Sequence, residues 1–126
     1  MSISFAEPNA IRLLGALTEA ELDELPTGVI GMSQDGTVVA YNHAEAELSR
    51  LTPSRVLGRH FFRNVAPCTN NHLIAQRFET EPELDATLDY VFTLRMAPTP
   101  VRLRMLRSAT APLMYLLVER RRPGGK

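Results

Sequence analysis

The chain of 126 residues is predicted to be an α+β domain: a five-stranded antiparallel sheet with crossover helices on one face and an N-terminal helical cap. Three observations predict it. Two β-rich runs precede, and three follow, a stretch that carries helix-start signals. After that stretch the hydrophobic period returns to two. Finally, 44% apolar residues in a chain of this length suffice for one core that needs neither disulfide nor metal to hold it.

In chain order, Thr18-Glu19-Ala20-Glu21 is a capping box, a hydroxyl and a carboxylate that each satisfy an orphan backbone N–H, so a short acidic helix follows it. Leu13, Leu14, Leu17, Leu22 and Leu25 give residues 1–25 an apolar side, and Pro26 closes this cap. Val29–Met32 and Thr37–Tyr41 are β runs joined by Ser33-Gln34-Asp35-Gly36, whose Asp-Gly pair suits a hairpin turn. Asn42 with Glu45 three residues on, and Thr52 followed by Pro53, open two short helices; Gly58 ends the second. A third helix is predicted over 71–78. Leu84, Ala86, Leu88, Tyr90, Phe92 and Leu94 then share one side of a strand. Residues 96–100 read as a loop, and Val101–Leu106 with Leu113–Val118 as a closing hairpin. The layout is a cap over 1–25, a core over 26–120 and a basic tail over 121–126.

Several functions are disfavoured by composition. One cysteine leaves no intrachain bridge or CxxC pair, and His43, His60 and His72 stand singly, without zinc-ligand spacing. No leader or membrane-length apolar run is present, so a cytoplasmic protein is expected. The net charge of zero hides an asymmetry: one base against five acids over 1–25, and eight bases against one acid over 95–126. The favoured reading docks the basic third on the acidic cap of the same chain by charge rather than on nucleic acid.

Two groups of residues carry possible chemistry. Cys68 follows Phe61-Phe62 and Pro67 on a loop, with Thr69 and Asn70 as polar neighbours; it is either an inert core thiol or a reachable one, and a dyad with His72 has no evident orienting acid. Tyr41, Glu45 and Ser49 recur every four residues, so a helix opening at Tyr41 would aim a phenol, a carboxyl and a hydroxyl to one side. Glu45 is then either a solvated cap carboxylate paired with Asn42 or part of a buried polar cluster that needs a partner.

The element order is that of a PAS domain. The segments Tyr41-Asn42-His43-Ala44-Glu45, Pro53–Gly58, Phe61-Phe62, Val65-Ala66-Pro67-Cys68-Thr69 and Met96-Ala97-Pro98-Thr99 resemble the photoactive yellow protein family in the same order, from about residue 26 to residue 120. The resemblance implies a PAS-fold blue-light photoreceptor, not an enzyme, carrying 4-hydroxycinnamic (p-coumaric) acid as a thioester. It implies Cys68 as the attachment site, and Tyr41 and Glu45 as hydrogen-bond partners of the chromophore phenolate, with Ser49 supporting Tyr41. Phe61, Phe62, Pro67, Phe92 and Met96 would line the pocket. Light-driven trans-to-cis isomerisation and proton transfer from Glu45 would trigger a conformational signal to a downstream protein, from a monomer or weak homodimer that binds neither nucleic acid nor membrane. The chain departs from the family pattern at Leu51, which stands where a gating Arg is usual, with Arg50 one residue earlier, and at Leu94, which replaces an aromatic. The rival readings are a PAS sensory or dimerisation module without chromophore and a Cys68 acyl-transfer enzyme.

Overall fold

The computed structural model describes residues 3–93 and 98–121. Strands β1 (Gly28–Met32), β2 (Val38–Tyr41), β3 (Leu84–Phe92), β4 (Thr99–Arg107) and β5 (Met114–Arg120) form one antiparallel sheet in the order β2-β1-β5-β4-β3. First and last strands thus lie side by side, as the two-plus-three arrangement of runs predicts. The opening hairpin turns at Gly36, whose φ of 91° only glycine adopts freely, and the Asp35 carboxylate accepts from the Thr37 N–H at 3.0 Å. In β2 the register skips a residue: Gly31 pairs with Ala40 but Met32 with Val38, leaving Val39 at a bulge. Gly31 also pairs across the sheet with Tyr115, whose ring lies over it, 3.4 Å from the position a Cβ would take.

Both faces of the sheet are covered. In β5, Met114, Leu116 and Val118 enter one core and Tyr115 and Leu117 the other, as a period of two requires. The first core lies under the crossover helices α3 (His43–Ser49), α4 (Pro53–Val56) and α5 (Ala75–Thr80), and contains Phe61, Phe62, Phe78 and Phe92. The inward side of β3 follows the predicted alternation, with Leu84 and Phe92 buried and Ala86, Leu88 and Tyr90 half-buried against this core. The second core joins Leu14, Leu22 and Leu25 of the cap to Val29, Leu106, Tyr115 and Leu117.

The cap is two helices, α1 (Ala10–Ala16) and α2 (Glu19–Asp23), and both hydrogen bonds of the predicted capping box are formed. Its docking differs from the charge-driven contact expected from the sequence. Apolar side chains hold it, together with Arg104, which donates to the Phe5 and Glu7 carbonyl oxygens at 3.0 and 2.7 Å and forms a bidentate pair with Asp85. Asp89 of β3 pairs with Arg102 and Arg121, so the ion pairs of the last third are made with β3 acids, the cap carboxylate of Glu7 adding only a lesser attraction to Arg104.

Other expectations shift by local chemistry. Thr99 and Pro100 belong to β4 rather than to a loop; Pro100 sits near the strand start, where its missing N–H is tolerated, and its carbonyl accepts from Arg121. Arg121 is therefore tied to the sheet, while 122–126 of the predicted tail lie outside the described residues. The third helix starts at Ala75, because the Asn71 side chain accepts from Leu73 and Ile74 N–H groups and holds residues 71–74 in a turn. Phe61–Val65 form a π-helical turn, closed by Ala66 N–H on the Phe61 carbonyl at 2.8 Å, which hydrophobic periodicity does not reveal.

Candidate functional site

Tyr41 ends β2 and Asn42 caps α3, so Tyr41 is not the first helical residue that its spacing suggested. The three predicted groups still converge, since the strand delivers the phenol and the helix the other two. The Tyr41 hydroxyl lies 2.7 Å from Ser49 Oγ, which accepts from the Leu51 N–H at 3.2 Å. Tyr41, Glu45 and Ser49 are all buried. Asn42 fixes this corner with four hydrogen bonds. Its Oδ1 accepts from Val29 and Glu45 N–H groups at 2.8 and 3.1 Å, and its Nδ2 donates to the Leu22 and Thr27 carbonyls at 2.9 and 3.0 Å.

Glu45 makes only the backbone half of a capping box. Its side chain turns into the protein, where the residue is 1% exposed and Oε1 has no hydrogen-bond partner. Gly28 makes room for it: a Cβ at that position would collide with Oε1 and crowd the Val118 carbonyl. Burial raises the Glu45 carboxyl to about 8, the nearby Tyr41 phenol drawing it partly back. Tyr41 is in turn pushed above the ordinary phenol range by burial first and by the neighbouring Glu45 charge second. A solvated cap carboxylate is excluded, and the buried-cluster alternative is the observed one.

Cys68 sits in a 3₁₀ turn, Pro67–Thr69, and is partly buried against the aromatic core. Its carbonyl accepts from the Tyr90 hydroxyl and from Asn71 Nδ2, the latter at 3.1 Å, and Asn71 Nδ2 also donates to Tyr90 Oη at 2.7 Å. Thr69, fully buried, donates its hydroxyl proton to the Ala66 carbonyl at 2.7 Å. The thiol is therefore held on a bonded backbone, reached through β3. Phe61, Phe62 and Phe92 share that core with Tyr41, and the two Phe rings of the π turn meet edge to face at 5.3 Å.

Pro67 stands apart from this group. It is exposed and opens the 3₁₀ turn, where its fixed φ sets the backbone before the thiol. Met96 and Leu94 lie outside the described residues. Arg50 adopts a left-handed conformation (φ 62°) as the C-cap of α3 and is exposed, whereas Leu51 packs against the aromatic core. Sequence reasoning missed Gly28, Tyr90 and the full reach of Asn42. A glycine leaves no side-chain signal, and the other two act through backbone groups distant in the chain.

Comparison with known proteins agrees with this fold. The model of the PAS fold matches residues 3–117. A photoactive yellow protein of Rhodothalassium salexigens is 34% identical over 121 residues, covering 94% of this chain and 97% of the relative. One from Halochromatium salexigens is 29% identical with the same coverage. The crystal structure of the photoactive yellow protein domain from the sensor histidine kinase Ppr of Rhodospirillum centenum superposes with a TM-score of 0.80 at 37% identity, over 87% of this chain and 99% of that one. With near-complete coverage, 34% identity to a curated relative and a matching sheet and helix order, the chain belongs to the photoactive yellow protein family and has the PAS fold.

Proposed function

We propose that the protein is a cytoplasmic blue-light receptor, not an enzyme, that carries p-coumaric acid as a thioester on Cys68 and signals by a change in shape. The observation that supports it best is Glu45, a buried acid with an unpartnered oxygen beside the Tyr41–Ser49 pair in a core rich in Phe. A buried polar atom without a partner costs free energy, and a ligand phenolate accepting a hydrogen bond from it removes that cost. The residues present therefore fit the group. When bound, the chromophore supplies a conjugated, light-absorbing system with an isomerisable double bond.

The chain's own residues do the rest. Cys68 Sγ provides the sulfur of the thioester. Ser49 Oγ already accepts from Leu51, and by giving its own proton to Tyr41 Oη it frees the phenolic proton for donation to the ligand. Glu45, raised to about 8, holds its proton at neutral pH and donates it as a charge-assisted hydrogen bond. Once that proton leaves, a carboxylate remains in an apolar site that solvates it badly. The strain falls on α3, and Asn42 connects Glu45 N–H to the Leu22 carbonyl of the cap. Loosening of the cap uncovers the outer sheet face to a downstream signalling protein.

The test is to mix apoprotein with activated p-coumaric acid and record colour, intact mass and light-minus-dark infrared spectra. A stable coloured adduct on the wild type, none on Cys68→Ala, and loss of a protonated-carboxyl band that is absent from Glu45→Gln are the expected results. Turnover without a lasting adduct would make the protein an acyl-transfer enzyme, and no labelling would make it a PAS module without chromophore.

A further inference from the structure

One edge of the molecule carries acidic, apolar and basic groups in that order across α4. On the cap side, a groove of about 460 Å³ lies between α1–α2 and β2; Val39, Pro53 and Leu57 line it, and its two charged residues, Glu19 and Asp23, are both acids. On the far side, a cleft of about 320 Å³ has Leu51, Val56 and Val65 as apolar walls, and its two charged residues, Arg55 and Arg59, are both bases. The segment from Pro53 to Arg59 contributes to both. At the centre, Val39 and Leu57 are 46% and 41% exposed, and the β-bulge leaves Val39 out of register there. Among the described residues, the guanidinium groups of Arg50, Arg55, Arg59 and Arg63 make no ion pair and no hydrogen bond. Residues 48–78 contain no acid at all, so nothing local neutralises them.

We propose that this edge binds a second copy of the chain about a two-fold axis. A patch ordered acid, apolar, base is complementary to itself after a half-turn: the acids of each copy meet the arginines of the other, twice, and the two apolar centres coincide. Other classes of partner do not satisfy all three zones. An extended polyanion would meet the arginines but be repelled by Glu19 and Asp23, and a purely apolar partner would desolvate charges without pairing them. Addition of a strand to β2 is blocked, because its outer edge is already occupied: Val38 N–H donates to the Arg59 carbonyl, the Val38 carbonyl accepts from Gly58, and Thr37 bridges to His60. The partner must therefore pack by side chains. With a net charge of zero, two copies approach without long-range repulsion.

Sedimentation velocity on the full chain, over a concentration series at low and high salt, tests this. A monomer–dimer equilibrium is expected that weakens by about tenfold or more as salt screens the paired charges. Leu57→Glu, at an exposed position, should leave a folded monomer by circular dichroism. Glu19→Lys alone and Arg55→Glu/Arg59→Glu alone should each be monomeric, and mixing the two should regain a dimer, because each supplies the charges the other lacks. A wild type that is monomeric throughout, or that grows beyond two copies, overturns the proposal. So does a dimer indifferent to salt and to Leu57→Glu, or a mixture that stays monomeric. The salt series needs no variant, so it decides even if a substitution unfolds the chain.

Discussion

Glu45 is the one buried carboxyl among the described residues. Its native value of about 8 lies above the ordinary 4.5, so between those limits the folded state holds a proton that the unfolded chain has released. The sign follows: this contribution to stability is complete below about pH 4.5 and is lost as pH rises through 8, at about 1.4 kcal/mol per pH unit. Chemical denaturation of the apoprotein from pH 5 to 8 should therefore show a falling stability in the wild type and a flatter profile in Glu45→Gln, with the variant gaining relative stability at the alkaline end. Equal slopes would mean that Glu45 titrates normally. The sequence offered two environments for this residue, since the spacing from Asn42 is the same for a solvated cap and for a buried acid. What decides is Gly28, in a different element, whose missing side chain admits the carboxyl. Local pattern named Tyr41, Ser49 and Cys68 as well, because each carries a distinctive functional group. Pro67 shows the reverse case: the residue opens the turn before the thiol as its place in the sequence suggests, but it is exposed, which local pattern does not reveal.

At the level of elements, the cap is the part whose attachment most differs from the charge arithmetic. Strand alternation, the capping box and the Asp-Gly turn were readable because each rests on neighbours in sequence. The cap interface joins residues about a hundred positions apart, and counting charges cannot tell a carboxylate partner from a backbone carbonyl. Arg104 bonds to the carbonyls of Phe5 and Glu7 and to Asp85 across β3 and β4, so Arg104→Gln should cost about 2–4 kcal/mol and release the N-terminal segment. Limited proteolysis and amide exchange would show earlier cleavage and faster exchange before residue 25, with the aromatic core still protected. High salt should reproduce little of this in the wild type, because Leu14, Leu22 and Leu25 hold the same interface by apolar contact. A cap that salt frees as readily as the substitution does would restore the charge-driven picture.

Across the whole molecule, three layers share one sheet, and β5 at its centre and β1 beside it have both faces buried. On the proposed function, such a layout offers a signal two routes out of the aromatic core, through α3 and Asn42 to the cap, or through α4 to the edge proposed to bind a second copy. It also has a cost that concerns the order of folding. Where one face of a strand is wet, a one-residue slip exposes every apolar side chain and is rejected at once. In β5 the run Met114–Val118 is apolar and buried at every position, so a slipped pairing would exchange its two sets of side chains between cores with little loss of burial. The alignment must be enforced by shape, and Gly31 facing the Tyr115 ring is the key that fits only one lock. Gly31→Val, which crowds both Ala40 and that ring, should thus damage fidelity as well as stability: refolding should become slow and multiphasic and yield off-register, aggregating species, whereas an overpacked but correctly aligned sheet would refold in a single phase to a weaker native state.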